Sequence, residues 1–195
     1  MRIVGGRLRG RLLQAPGSRA IRPTSERLRE SIFDILTHRH AGVVEGARVV
    51  DMFAGSGALG IEALSRGAKS ALFIDNGAEA RALLRANVEA FALGGVTRIW
   101  RADATLLGKA PAGPPFTLAF LDPPYDKRLA GPALAELIEG RWLAPGALVV
   151  VEESAKAEID APATLRVVDE RVYGETRVVF LTYGDEIFGE SNVGA

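Results

Sequence analysis

The chain of 195 residues predicts an α/β fold whose sheet is mostly parallel with an antiparallel edge. Three observations predict it. Apolar, β-rich runs alternate with stretches of helical periodicity from Ala47 to Val151, and a glycine-rich turn joins the first run to the helix after it. Two long strand-like runs around Gly174 then end the ordered part of the sequence.

In chain order, a helix is expected first over residues 25–38, with Thr24 as its N-cap and Leu28, Ile32, Ile35 and Leu36 on its buried face. A strand over 47–53 runs into the glycine turn at 54–60, and a helix-like stretch follows over 61–66. Residues 68–74 form the next strand. Residues 78–91 carry Leu83, Leu84, Val88 and Phe91 at helical spacing. Shorter strands are expected over 97–101 and 116–121, a helix over 132–138 and a fifth strand over 147–151. Residues 165–173 and 175–183 read as a hairpin closing the sheet, and 185–195, small and polar, as a loose tail. The expected organisation is therefore a basic arm and helix over 1–40, a core over 41–184 in the same compact unit, and the tail.

Composition bounds the function. Hydrophobic residues at 48% and charged residues at 25% are ordinary for a globular protein, and the length is enough to bury a real core. The chain has no cysteine, which excludes disulfides and thiolate metal sites, and its two histidines are too few for a histidine-based metal centre without carboxylates. No apolar leader or long apolar span is visible, so a soluble, cytoplasmic protein without a membrane partner is expected. Asparagine, glutamine and methionine are scarce, which fits a thermophilic source or a biased genome equally.

Asp122-Pro123-Pro124-Tyr125 carries the most specific chemistry. The exocyclic amine of a nucleobase is a poor nucleophile because its lone pair is delocalised into the ring. An Asp122 carboxylate and the Pro123 carbonyl can each accept one N–H, aim that lone pair at a methyl donor and stabilise the charge that develops on nitrogen. The prolines stiffen the loop, and Tyr125 can stack on the base for roughly 1–3 kcal/mol. The bland reading of the same residues is a Pro-Pro turn after a buried strand.

The glycine turn supplies a ligand site. Gly55, Gly57 and Gly60 match the spacing of a dinucleotide-binding turn, and Asp75 stands about twenty residues beyond the first of them, so a nicotinamide dehydrogenase is a real competitor. Asp51 argues otherwise: two phosphates gain nothing from an added negative charge, whereas the ammonium and sulfonium of S-adenosylmethionine do. Asp75, and Asp103 beside Ala104, end the next two strand-like runs, suited to ribose hydroxyls and to the adenine amine. With Asp122 these acids face one crevice outside the carboxyl ends of the strands. Helix N-capping is the ordinary use of any one of them taken alone.

Charge indicates the partner. Net charge is zero, yet Arg2, Arg7, Arg9, Arg11, Arg19, Arg22, Arg27 and Arg29 crowd the first thirty residues against Glu26 and Glu30. On a strand, Arg7, Arg9 and Arg11 would share one face at a repeat of roughly 6.6–6.8 Å, near the phosphate spacing of a nucleic acid. Gly5, Gly6 and Gly10 would turn or bend this arm, and charged protection of an edge strand is the alternative.

These segments together resemble the RsmD-type methyltransferases, which modify a guanine 2-amino group in bacterial small-subunit ribosomal RNA. The likeness spans nearly the whole chain: R-I-V-G-G-R-L-R-G-R-L-L at 2–13, R-P-T-S-E-R-L-R-E-S-I-F at 22–33, D-M-F-A-G-S-G-A-L-G at 51–60, D-P-P-Y at 122–125 and Y-G-E-T at 173–176. It implies a Rossmann-like class I S-adenosylmethionine-dependent methyltransferase fold with seven strands and a small N-terminal basic hairpin and helix. It places the cofactor at Gly55, Gly57, Asp75 and Asp103, to which the reading of the turn and strand ends adds Asp51, Phe53, Ala54, Gly60, Asn76 and Ala104. The base falls to Asp122 and Tyr125, with Pro123 and Pro124 of the same loop, and the charge pattern assigns RNA to Arg7, Arg9, Arg11, Arg22, Arg27 and Arg29. Members often carry Phe where Tyr125 stands, which keeps the stacking face; D-P-P-Y and N-P-P-Y also serve enzymes acting on adenine and cytosine amines, so methylation of such an amine in RNA or DNA is an alternative. The implied partner is ribosomal RNA or an assembly intermediate of the small subunit, approached by a monomer without a metal. A DNA amino-methyltransferase or a protein glutamine methyltransferase would share the core, but the first lacks room here for a duplex-reading domain and the second has less need of a basic arm.

Overall fold

The computed structural model describes residues 1–15, 25–125 and 127–184. Its strands are β1 (Arg48–Met52), β2 (Ser70–Ile74), β3 (Thr97–Trp100), β4 (Phe116–Leu121), β5 (Leu143–Ser154), β6 (Leu165–Tyr173) and β7 (Thr176–Tyr183). Its helices are α1 (Glu26–His38), α2 (Ala58–Ser65), α3 (Ala78–Ala90) and α4 (Ala130–Glu139). Among the described residues the seven strands form one sheet in the order β3-β2-β1-β4-β5-β7-β6. The first five run parallel, and β7 and β6 add the antiparallel edge. This is the expected Rossmann-like arrangement. Strand order reverses between β1 and β4, the place where an open α/β sheet forms a crevice.

Successive strand residues face opposite sides of the sheet. Val49, Leu118 and Phe120 pack into the core under α1, α2 and α3, while Val50, Ala119 and Leu121 pack into the one under α4 with Trp142. Both faces of β1, β2 and β4 are largely buried, which is why they read as continuous apolar runs rather than as alternating ones; β3, at the sheet edge, is partly exposed.

Boundaries differ from expectation in ways the backbone explains. Helix α1 starts one residue later than a Thr24 cap requires: Ser25 is the N-cap, its hydroxyl accepting from Leu28 N at 3.1 Å, and Thr24 lies outside the described residues. Helix α2 begins at Ala58 instead of residue 61, because Gly57 takes a left-handed φ of 79° and turns the chain into the helix immediately. Every residue of α2 is buried, so no amphipathic period marked its start. Strand β5 extends past 147–151 at both ends, pairing with β4 and β7.

The amino-terminal arm does bend at its glycines, but it does not form the strand that would align its arginines. Ile3 N donates to Arg11 O at 3.0 Å and Leu13 N to Met1 O at 2.8 Å, closing an antiparallel loop with a 3-10 turn over Gly6–Leu8 inside it. Gly6 and Gly10 hold positive φ, and Ile3, Leu8 and Leu13 are drawn into the core. Arg7, Arg9 and Arg11 are exposed around this loop and share no strand face. Arg11 lies 4.7 Å from the centre of the Phe91 ring and donates to Ala90 O.

Arg29 corrects the expected RNA set. It is completely buried, its Nε 3.3 Å from Glu62 Oε2, and it donates to Arg2 O. Burial lowers its pKa, and the Glu62 charge acts against that. Glu62, equally buried on α2, also accepts from Arg66 Nε at 2.9 Å, Val4 N at 2.9 Å and Gly5 N at 2.7 Å. Arg29 is therefore a bolt between arm, α1 and core. Arg27 is exposed on α1, and Arg22 and residues 185–195 lie outside the described residues.

Candidate active site

Strand β1 delivers Asp51 to the reversal point, and the chain then turns sharply: Phe53 at φ 59° and Gly55 at φ 54° are both left-handed. Asp51 is 2% exposed, and its Oδ2 accepts from Gly60 N at 2.9 Å. Asp75, after β2, ties the turn from the other side, accepting from Gly55 N at 2.9 Å and Gly77 N at 2.7 Å. Asp103 follows β3, and one of its oxygens takes both the backbone N and the hydroxyl of Thr105, which lowers its pKa. That carboxylate braces its own turn as well as facing the cleft.

These strand ends enclose a cleft of about 560 Å³, within the range of small-molecule sites. Its walls bring together Asp51 from β1 and Phe53, Ala54 and Gly55 from the turn after it, with Asp75, Asn76, Asp103 and Ala104 from the next two turns. Asp122, Pro123, Pro124 and Tyr125 close the other end. Two expected cofactor residues are not in its lining. A Cβ on Gly57 would collide with Leu84 and one on Gly60 with Phe73, so these glycines seat the turn against α3 and β2 instead of approaching a ligand. Ser56, Ala58 and Leu59 line the cleft in their place.

The Asp-Pro-Pro-Tyr loop is anchored from a direction the sequence did not reveal. The Tyr125 hydroxyl lies 2.8 Å from Thr176 Oγ1, on β7, and donates to Glu152 Oε1, on β5, at 3.2 Å. Its pKa is pushed up to about 12: burial is the main cause, the Thr176 hydrogen bond opposes it, and Glu152 and Asp122 add to it. The phenol thus stays neutral while its ring is fixed against two strands. Thr176 gives the Y-G-E-T segment its purpose.

Glu152 and Glu79 are cleft residues that sequence reasoning missed. An acid in the first turn of a helix, as Glu79 is, reads as a charge favoured by the helix dipole. Glu152 stands beside Glu153 and reads as a solvated strand end, although it obeys the same strand-end rule that picked out the other acids. Among the described lining residues six are acids and none is lysine or arginine. A pyrophosphate would meet no cationic side chain among them, whereas an ammonium or sulfonium is suited to these acids. The donor set fits S-adenosylmethionine and disfavours a dinucleotide.

Burial raises the Asp51 pKa to about 8, the Gly60 N–H opposing this and Asp75 adding to it. At neutral pH without a cation beside it, Asp51 is mostly protonated. Its contribution to folding is complete below the ordinary carboxylate pKa and is lost as pH rises through about 8.

Known proteins share this chain's sequence pattern and fold. A curated relative from Escherichia coli (strain K12), ribosomal RNA small subunit methyltransferase D, is 36% identical over 193 residues, covering 98% of this chain and 93% of that one. A solved Escherichia coli chain described as a methyltransferase superposes with a TM-score of 0.82 at 33% identity, over 95% of this chain and 99% of the other. A hypothetical protein from Thermus thermophilus gives 0.71 at 34% identity, over 92% and 98%. The family model described as Conserved hypothetical protein 95 matches residues 1–182, and the chain belongs to that family.

Proposed function

We propose that the protein transfers a methyl group from S-adenosylmethionine to the 2-amino group of a guanine in small-subunit ribosomal RNA. The observation that carries this is one acidic cleft with a cation-compatible half at Asp51, Asp75 and Asp103 and an amine-holding loop at Asp122-Pro123-Pro124-Tyr125. The curated relative's name supports the choice of RNA. The cofactor supplies an activated methyl on sulfur. Asp122 and the Pro123 carbonyl accept the two amine hydrogens, so the nitrogen lone pair points at that methyl, and Tyr125 holds the base plane. Once the amine nitrogen has taken the methyl group that the cofactor would supply, the proton it sheds goes to Asp122 or to water. The base reaches the cleft unstacked, at a cost of a few kcal/mol.

The direct test incubates the protein with radiolabelled S-adenosylmethionine and, separately, naked small-subunit ribosomal RNA, partly assembled small subunits and duplex DNA, then identifies the labelled nucleoside. Label in 2-methylguanosine from RNA is expected, and which RNA sample carries it identifies the assembly state acted on. Label confined to DNA, or none, refutes the proposal. A ribosomal substrate puts the protein in the cytoplasm. Among the described residues no helix is long and apolar enough to cross a membrane.

The cleft and the arm each make a prediction. A cation bound near Asp51 draws it back to the ionised form, so cofactor binding below about pH 8 releases a proton. Affinity should rise toward about tenfold per pH unit between about pH 6 and 8, with a calorimetric heat that depends on buffer. Affinity flat across that range would remove Asp51 from the cation site. Replacing Arg7, Arg9 and Arg11 together should weaken RNA binding and flatten its dependence on salt, since fewer neutralised phosphates release fewer counterions. An unchanged slope would return these arginines to surface protection.

A further inference from the structure

We propose that Glu152 reads the target base as guanine by accepting the N1–H that guanine carries beside its exocyclic amine. The inference rests on the amine-methylating reading above and extends it to base choice. Strands β4 and β5 pair with Leu121 opposite Val151, so the residues that follow, Asp122 and Glu152, come side by side at the reversal crevice. Both line the cleft. Glu152 is 6% exposed and borders the end of the cleft that holds Asp122, Pro123 and Tyr125. Tyr125 donates to its Oε1, and a carboxylate offers about four acceptor positions, so that bond leaves acceptor capacity for a ligand.

Base chemistry then discriminates. An amine held by Asp122 has a ring nitrogen next to it. In adenine and cytosine that nitrogen is an acceptor, and a buried carboxylate opposite it pairs lone pair with lone pair. In guanine it carries a hydrogen, and N1–H with the 2-amino group presents a donor edge like that of a guanidinium, which carboxylates bind well. When the amine nitrogen commits its lone pair to the methyl carbon, positive charge develops on N2 and, by induction through C2, makes the neighbouring N1–H a stronger donor. Glu152 at N1–H then faces growing charge, a contact stronger in the transition state than before it. Asp122-Pro123-Pro124-Tyr125 selects an amine; Glu152 selects which base bears it.

The test uses small-subunit ribosomal RNA ligated from synthetic pieces, with guanosine or 2-aminopurine riboside at the methylated position. The analogue keeps the 2-amino group but presents a bare N1. Wild-type protein should prefer guanosine by about a hundredfold or more in kcat/KM, since a site built to bind a donor rejects an analogue lacking it. Glu152→Gln, whose amide can rotate to donate, should cut the preference below about tenfold, with S-adenosylmethionine affinity unchanged. The intrinsic reactivity of the two bases is the same for every variant, so the change in ratio isolates the contact. Tyr125→Phe removes the hydroxyl bridge and should keep the preference. An unaltered ratio in Glu152→Gln overturns the inference, and so does a Tyr125→Phe loss as large as that of Glu152→Gln, which would mean that Glu152 acts only through the ring. Should Glu152→Gln fail to fold, Glu152→Asp, one methylene short, should lower the ratio, and an unchanged one counts against the inference. Absence of guanosine methylation by the wild type would refute the underlying function itself, whereas guanosine methylation with an indifferent Glu152 would refute base reading alone.

Discussion

Asp122→Ala is expected to lower kcat for methyl transfer by about 10²–10³-fold while leaving S-adenosylmethionine affinity nearly unchanged. The separation follows from the map of the cleft. Asp51 lies near the end of β1 and Asp75 and Asp103 in the turns after β2 and β3, and each is held there by neighbours on that side of the cleft: Gly60 for the first, Gly55 and Gly77 for the second, Thr105 for the third. Tyr125 keeps Thr176 and Glu152, so the loop stays anchored. What disappears is the acceptor that orients the amine and meets its growing charge. Asp122→Asn retains one acceptor oxygen and should lose less. Single-turnover rates with calorimetry on each variant decide the matter; equal losses of cofactor affinity and rate would move Asp122 to the cofactor half of the cleft.

Glu62→Ala should reduce unfolding stability by about 3–5 kcal/mol, the usual cost of stranding one partner of a buried ion pair. Here the stranded groups include Arg29, fully buried, together with Val4 N and Gly5 N, which donate to the same carboxylate. Arg66, partly exposed, can turn toward water and adds little. The arm should loosen before the sheet melts, visible as faster amide exchange in residues 1–13 than in β1 or β4. Replacing Arg29 and Glu62 together with apolar residues of similar volume should cost less than Glu62→Ala alone. Chemical denaturation supplies the number, and a loss below about 1 kcal/mol would mean that water reaches the pair.

The sheet was legible because strands buried on both faces leave long apolar runs and because Gly174 marks the hairpin. The acids were legible because strand ends in such a sheet converge on one crevice. What escaped depends on distance in sequence. Glu62 is one acid in an otherwise apolar helix, and nothing local says that its partners are Val4, Gly5 and Arg29. Arg29 sits among seven other arginines, and composition alone cannot separate the one that turns inward from those that face water. Gly57 and Gly60 matched a ligand-binding spacing, yet side chains from α3 and β2 set their need for hydrogen. Glu152 needed the β4–β5 register, which places it beside Asp122.

Asn87 has a bearing on how such enzymes can be re-engineered. Buried on α3, its amide accepts from Gln14 N at 2.8 Å and donates to Gln14 O at 3.1 Å and to Ser56 O at 3.0 Å, so one side chain grips both the end of the arm and the glycine turn after β1. The arm is consequently not a detachable address label. Grafted alone onto another methyltransferase core it would arrive without Asn87, Ser65 and Glu62 to receive it, and a core deprived of it would expose the apolar seat of Ile3, Leu8 and Leu13. Retargeting by exchange of parts would have to swap arm, α1, α2 and α3 as one cassette.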